Sequence, residues 1–290
     1  EYPDGFLRAS WKHLLENHPH DSMCGCSIDQ VHKDMEYRFD QSLGISSRLS
    51  EGALKAIAAA AAPKEIPEGA LVLCVFNPSA EDISEPVDLD IPLPANWPKR
   101  FQEFFGYEEK FAFLLTDARG KEIPYQLTGH RRDRNSFRRD RYKFPAGDVR
   151  HVISVTAPLS VPALGYTILI VKPAEGPVRY DGSLAVSHRA MENEFLRVEA
   201  GSNGTLTLID KRSGKRFEEL LTFEDRADIG DGWYHGVAVN DRIHLSSADA
   251  ADVSMIADGP FRATMRVRVT MHVPGEFDFR NMTRSQRNAP

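Results

Sequence analysis

The apolar residues of this 290-residue chain change their period once, at Pro63, and that change constrains the fold more than any other feature. Before it, Phe6, Leu7, Trp11, Leu14 and Leu15 recur at helical spacing within 6–17, with Asp4 as candidate N-cap and Pro19 just beyond the end. After the interruption HPHDSMCGC, Ser27 and Gln30 have the spacing of a capping box, and Val31, Met35, Phe39 and Leu43 follow four apart. Gly44 breaks this period and Leu49, Ala53, Ile57 and Ala60 renew it, so the spacing predicts a second helix that bends or restarts near Gly44. Beyond Pro63, short apolar runs are separated by Gly, Pro, Asn and Asp, the pattern of strands and turns.

Strands are predicted over 70–76, over 111–115 and 122–127 around the turn 117–120, and over 152–157 and 167–171. A hairpin joins 195–199 to 205–209 through Asn203-Gly204, a dipeptide favoured in tight turns. The strictest alternation runs over 261–273 and predicts one long strand with a buried and a wet face. Pro173, Gly176, Pro177 and Gly182 mark a linker at 174–181. The expected fold class is α+β, a short helical-bundle segment followed by mainly antiparallel β-sandwich modules. Its parts are a helical segment at 1–62, a first β-module at 63–175 and a second at 176–290, expected to be truncated at its C-terminal end.

The 36 Lys and Arg against 42 Asp and Glu give a net charge of −6, so no global basic field draws in nucleic acid or an anionic membrane. Arg131, Arg132, Arg134, Arg138, Arg139, Arg141 and Lys143 outnumber Asp133 and Asp140 within 130–143. Without interleaved stacking aromatics this run reads as a solvated hairpin tip, or a surface facing another domain or subunit, rather than a nucleic-acid site. The sequence shows neither a membrane-spanning run nor a basic-then-apolar leader, and three cysteines are an odd count; a cytoplasmic protein with reduced thiols is expected. In that setting the sequons at Asn203 and Asn281 carry no meaning.

The densest polar cluster is His18-Pro19-His20-Asp21-Ser22, followed by Met23-Cys24-Gly25-Cys26-Ser27, between the two predicted helices. Imidazole and carboxylate are both ligands for divalent metals, but the spacing equally suits a capping loop with solvated histidines. Cys24 and Cys26 stand closer than the two-to-four-residue spacing of zinc-site cysteines, and are expected to be small buried residues at a helix crossing. The loop 225–234 offers Asp231, Trp233 and Tyr234, a carboxylate and aromatic faces of the kind that sugars contact; otherwise they make an Asx turn and a packed aromatic.

The segment LLENHPHDSMCGCSIDQVHKDMEYRF resembles the helical-domain signature of the glycoside hydrolase family 38 α-mannosidases, particularly the bacterial branch, in which a His-Asp pair precedes a Cys-Gly-Cys or Thr-Gly-Thr step. ENEFLRVEAGSNGTLTLIDKRSG and then FEDRADIGDGW are similar to the strand, hairpin and Asp-Gly-rich loop of that family's β-region, in the same order. The resemblance covers most of 5–60 and 190–275, while 64–180 fits by position alone. It implies an N-terminal α/β domain, a three-helix bundle and a large β-region, in retaining exo-acting α-mannosidases that use zinc. It also implies that His20 is a metal ligand, that Asp21 contacts the sugar, and that Asp231 and Tyr234 lie toward the substrate. The nucleophile and the other metal ligands, a His and two Asp, would come from the α/β domain, which this sequence does not contain.

The expectation is therefore a central-to-C-terminal fragment of an enzyme acting on α-mannoside oligosaccharides. It would carry no catalytic residue of its own, be inactive alone, hold no ordered zinc alone, and leave room for a homo-oligomer. The alternative is a non-catalytic carbohydrate-binding or assembly module. An independent metalloenzyme built on His18, His20 and Asp21 lacks a further ligand cluster.

Overall fold

The computed structural model of the chain describes residues 2–102, 109–138 and 144–284. The first part is a helical hairpin of α1 (Asp4–Leu15), the single turn α2 (His20–Met23) and α3 (Asp29–Ala61), with α1 packed along α3. Pro3 occupies the N-cap of α1, so Asp4 is its first helical residue and pairs with Arg8 at 2.9 Å, one turn on. The expected capping box does not form. Helix α3 starts at Asp29 with Ile28 as N-cap, which puts Gln30 at the second helical position, where its Nε2 donates to Asp34 Oδ1 at 3.0 Å. Nor does the helix break at Gly44: α3 runs unbroken for 33 residues, long enough to absorb the ~1 kcal/mol that an interior glycine costs.

The hairpin has almost no dry core, since Met35 is the one buried hydrophobic residue among its described helical positions. Polar contacts join the helices instead. Ser10 Oγ lies 3.2 Å from Ser42 O and 3.0 Å from Ser42 Oγ. Asn17, wholly buried just past α1, donates from Nδ2 to Met35 O at 2.9 Å and accepts from Arg38 Nη1 at 3.4 Å.

Eight strands follow: β1 (Leu71–Phe76), β2 (Ile83–Pro94), β3 (Arg100–Gln102), β4 (Glu109–Phe111), β5 (Phe113–Asp117), β6 (Gln126–Arg138), β7 (Ala146–Val161) and β8 (Tyr166–Pro173). Two three-stranded antiparallel sheets, β1-β8-β5 and β2-β7-β6, share one apolar core. Every second residue points into it: Ile91 and Leu93 from β2, Ile153, Val155, Ala157, Leu159 and Val161 from β7, Leu169 and Val171 from β8. Strand β2 carries Pro86, Pro92 and Pro94, which argue against a strand in sequence, yet it lies at a sheet edge, where a missing N–H donor is tolerated. The described part of the basic run forms the β6 arm of the β6–β7 hairpin, where Arg131 pairs with Asp90 at 2.6 Å. Arg139, Asp140, Arg141 and Lys143 lie outside the described residues.

The last part opens with β9 (Ala185–Ser187), β10 (Ala190–Glu192), β11 (Leu196–Ala200), β12 (Leu206–Asp210) and β13 (Arg216–Leu220), which form one antiparallel sheet in reverse chain order. Three two-stranded ribbons follow: β14 (Glu224–Asp225) with β15 (His244–Leu245), β16 (Asp252–Ala257) with β17 (Thr264–Arg268), and β18 (Phe277–Asp278) with β19 (Thr283–Arg284). The long strand expected over 261–273 is paired only as β17: at its start the backbone N–H groups of Phe261 and Arg262 go instead to Gln126 Oε1 at 3.1 and 2.8 Å, and at its end the partner strand β16 begins at Asp252, opposite Arg268. Its alternation persists beyond the ladder, with Val269, Met271 and Val273 half-buried between exposed Thr270 and His272. Gln126 Nε2 also donates to Arg262 O at 2.9 Å, and Asp88 pairs with Arg262 at 2.8 Å, so the two β-parts are bonded across their junction.

Removing a buried amide that satisfies partners on another element costs about 1–3 kcal/mol. Asn17→Ala is therefore expected to lower the stability of the helical hairpin by that amount, read by urea denaturation followed through helical circular dichroism. A change within ~0.5 kcal/mol, as for an ordinary surface substitution, would show that the half-buried apolar contacts hold the hairpin by themselves.

Candidate functional site

The segment between α1 and α3 is shaped by one glycine. Gly25 has a φ of +82°, and around it Cys26 N donates to Asp21 O at 3.0 Å while Gly25 N donates to Ser22 O at 3.4 Å. This pair of bonds is a Schellman closure of α2, with Gly25 in the left-handed position that a Cβ disfavours. The closure returns the chain over the start of the turn, so residues 24–26 stand beside Asp21.

His20 and Asp21 are adjacent and exposed, at 95% and 65% of their side-chain surfaces, with His20 Nε2 3.1 Å from Asp21 Oδ1. An accessible imidazole beside a carboxylate suits one position in a shell of three or four protein ligands, which is the extent to which this chain fits the zinc its sequence resemblance implies. His18 is also exposed. Cys24 and Cys26, expected to be buried at a helix crossing, are exposed instead, because the closure turns them outward over the single-turn helix. Their sulfurs lie 3.3 Å apart, and Cys26 Sγ lies 3.6 Å from Asp21 Oδ1. The hydrogen bond to Cys24, with the nearby Asp21 carboxylate adding to it, pushes the Cys26 thiol up to about 11.

The second candidate region is the loop between β14 and β15. Asp231 Oδ1 accepts from Trp233 N at 2.8 Å and Tyr234 N at 3.1 Å, and Asp231 N donates to Tyr234 O at 3.2 Å. Asp231 thus shapes its own turn, while Trp233 and Tyr234 project at 72% and 78% exposure. Sequence reasoning passed over the residue that closes the loop. Asp228 Oδ1 accepts from Gly236 N and Gly230 N, both at 2.8 Å, and His235 Nδ1 lies 3.2 Å from Oδ2. The strands of the loop cross so closely here that a Cβ on Gly230 would stand 1.7 Å from Tyr234 O. The loop base is held by Arg284, nearly buried, which pairs with Asp225 and with Asp241 at 2.7 Å, while Asp241 Oδ2 accepts from Ala227 N at 2.7 Å. These partners lie 59 and 43 residues from Arg284, beyond the reach of any local pattern. Among the described residues no hydrogen bond or ion pair joins this loop to His20 and Asp21.

The backbone N–H groups of Gly236 and Gly230, with His235, hold the Asp228 carboxyl down at about 2, below its ordinary 3.8. A carboxyl depressed on folding stabilises above its ordinary range, and that contribution fades as pH falls toward the folded value. Protection of the Gly230 and Gly236 amides, taken relative to the intrinsic exchange rate at each pH, should therefore hold down to about pH 4 and fall only toward pH 2. In Asp228→Asn protection should be weaker at pH 7 and show no step in that window; an unchanged profile in the variant would remove Asp228 as the closing group.

No family model matches the chain. A curated protein of Halalkalibacterium halodurans, whose name gives it provisionally as a mannosylglycerate hydrolase, is 28% identical over 296 residues, which span 95% of this chain and 32% of that protein. The crystal structure of an α-mannosidase from Enterococcus faecalis V583 matches all of this chain and 35% of its own at a TM-score of 0.85 and 25% identity. A second Enterococcus faecalis structure, of a protein in glycosyl hydrolase family 38, matches all of this chain and 37% of its own at a TM-score of 0.81 and 24% identity. The chain thus spans about a third of the length of the relatives it matches. In both sequence and fold, nearly the whole of this chain is similar to a segment of these longer glycoside-hydrolase relatives.

Proposed function

We propose that this chain is the central-to-C-terminal part of a zinc-dependent retaining α-mannosidase, and that its His20–Asp21 turn forms one edge of the active site. The observation that supports this most is the pair itself: an imidazole and a carboxylate 3.1 Å apart, both exposed, in a chain whose relatives include an α-mannosidase. His20 is the ligand that this chain gives to the metal, and Asp21 accepts a hydroxyl hydrogen bond from the mannose. The bound ion supplies Lewis-acid polarisation of the sugar hydroxyls. The substrate is a terminal α-linked mannose; the relatives' names share the mannosyl group and differ in what it is joined to.

A retaining glycosidase needs a nucleophilic carboxylate and a second carboxyl about 5–5.5 Å away as acid/base. This segment gives Asp21 a neighbouring imidazole and thiols, and among the described residues no second carboxylate is hydrogen-bonded to it. In this reading the catalytic carboxyls belong to the α/β domain that the resemblance implies, and this segment binds and orients. The division into a helical part at 1–62 and β-parts at 63–175 and 176–290 belongs to the same reading. Tyr234 offers an exposed aromatic face, and Asp231 orders the turn that presents it.

The 290-residue chain alone is expected not to turn over an aryl α-mannoside. In the longer protein that includes the α/β domain, Asp21→Ala should lower kcat/KM tenfold or more, the equivalent of ~1.5–3 kcal/mol for a charged hydrogen bond. His18→Ala should cost less. Turnover by the short chain that scales with its concentration, or equal small losses in the two variants, would overturn the assignment.

A further inference from the structure

The Schellman closure brings three donors together that the mannosidase reading does not use as a set: the carboxylate of Asp21 and the thiols of Cys24 and Cys26. Their ligand atoms all lie within 4.8 Å of one another. We propose that Asp21, Cys24 and Cys26 form a binding site for a thiophilic divalent cation, separate from the zinc position at His20.

With metal–sulfur bonds of ~2.3 Å, metal–oxygen bonds of ~2.0 Å and tetrahedral angles, two ligand sulfurs stand ~3.8 Å apart, and a sulfur and an oxygen ~3.5 Å apart. Here the sulfurs are 3.3 Å apart and Cys26 Sγ is 3.6 Å from Asp21 Oδ1. The Cys26 sulfur–oxygen edge is already at its bound length, the sulfur–sulfur edge needs a side-chain adjustment of about half an ångström, and the Cys24 sulfur, within 4.8 Å of the carboxylate, closes on it by rotation of the exposed side chains. Both thiols also point at Asp21 O, at 3.7 and 3.6 Å, so they converge on one side of the turn. The one-residue spacing of the cysteines is not an obstacle here. Gly25 in the left-handed conformation folds the chain back, so Cys26 meets Asp21, five residues earlier, as well as Cys24.

All three residues are exposed, which leaves the fourth tetrahedral position to water and makes the site an open one. Two soft sulfur donors and one carboxylate select zinc or cadmium over magnesium and calcium, which prefer all-oxygen shells. His20 Nε2 meets Asp21 Oδ1 at 3.1 Å but does not stand within reach of the whole set, so it is no part of the shell.

The test titrates the reduced 290-residue chain anaerobically with Cd²⁺ and follows the ultraviolet thiolate-to-metal charge-transfer band, with helical circular dichroism confirming that each variant is folded. One equivalent should saturate the band. Cys24→Ser and Cys26→Ser should each abolish it, as should prior alkylation of the wild-type thiols by N-ethylmaleimide. Asp21→Asn should weaken binding tenfold or more, and His20→Ala should leave the band in place. A band that survives in a folded single-serine variant, that never forms although the thiols are free, or that disappears in His20→Ala would overturn the site. The readout involves no turnover, so failure of the mannosidase reading leaves this result standing, and the reverse.

Discussion

A buried side-chain amide, that of Asn17, sets where the candidate site begins. The two long helices of the hairpin share little dry surface, and half-buried apolar side chains permit more than one register between them. A fully buried amide does not, because its donor needs a carbonyl at one height along the facing helix. That carbonyl is Met35 O, and Arg38, which fills the acceptor side of Asn17, also stands 3.7 Å from Glu16 at the end of α1. The chain therefore leaves α1 at a fixed point and in a fixed direction, and the short path to Gly25 places His20 and Asp21 from there. Local strength matters more than usual in this turn, since α2 is only four residues long and buries nothing.

The β-parts work on the opposite principle. Their first sandwich is held by a continuous apolar core, with Leu93, Leu115, Val155 and Val171 fully buried, and it can carry loops without depending on any one polar contact. Two of its buried polar groups reach across to backbone carbonyls: Trp97 Nε1 donates to Ala112 O at 3.0 Å and Tyr125 Oη to Phe113 O at 2.8 Å. The join to the last part is polar again. Asp258 accepts from Ser183 Oγ and from the N–H groups of Leu184 and Ala185, and Gln126 receives two backbone donors that the long alternating segment would otherwise offer to a neighbouring strand.

What the sequence made legible follows from range. Helical periods, the Asn203-Gly204 hairpin and the alternating strands around the sandwich core are local signals, and each lies in the structure within a few residues of its expected place. The turn at 18–27 stood out as the densest polar cluster for the same reason, although its residue types alone suit a capping loop as well as a metal or sugar contact. Three things were not legible. Proline-rich β2 looks unlike a strand until its place at the sheet edge is known. The Gln126 bonds that cut short the ladder after β16 come from 135 and 136 residues away. The outward turn of Cys24 and Cys26 depends on the conformation of Gly25, whereas their apolar, small character in sequence argued for burial.

The carboxylates near glycine turns divide by what their oxygens already hold, and that division separates structure from chemistry. Asp228 spends one oxygen on two backbone N–H groups and the other on His235, which drives its carboxyl down to about 2. A general acid must hold its proton near working pH, so a group driven in that direction is disqualified as a proton donor. Asp231 likewise gives Oδ1 to two backbone N–H groups of its own turn, so its first duty is to shape the loop. Asp21 differs from both. Its backbone carbonyl, not its carboxylate, closes the turn, and the carboxylate stays exposed with only a histidine and a thiol for company. Among these three aspartates it alone leaves its carboxylate clear of backbone N–H groups, as contact with a substrate hydroxyl or a cation requires.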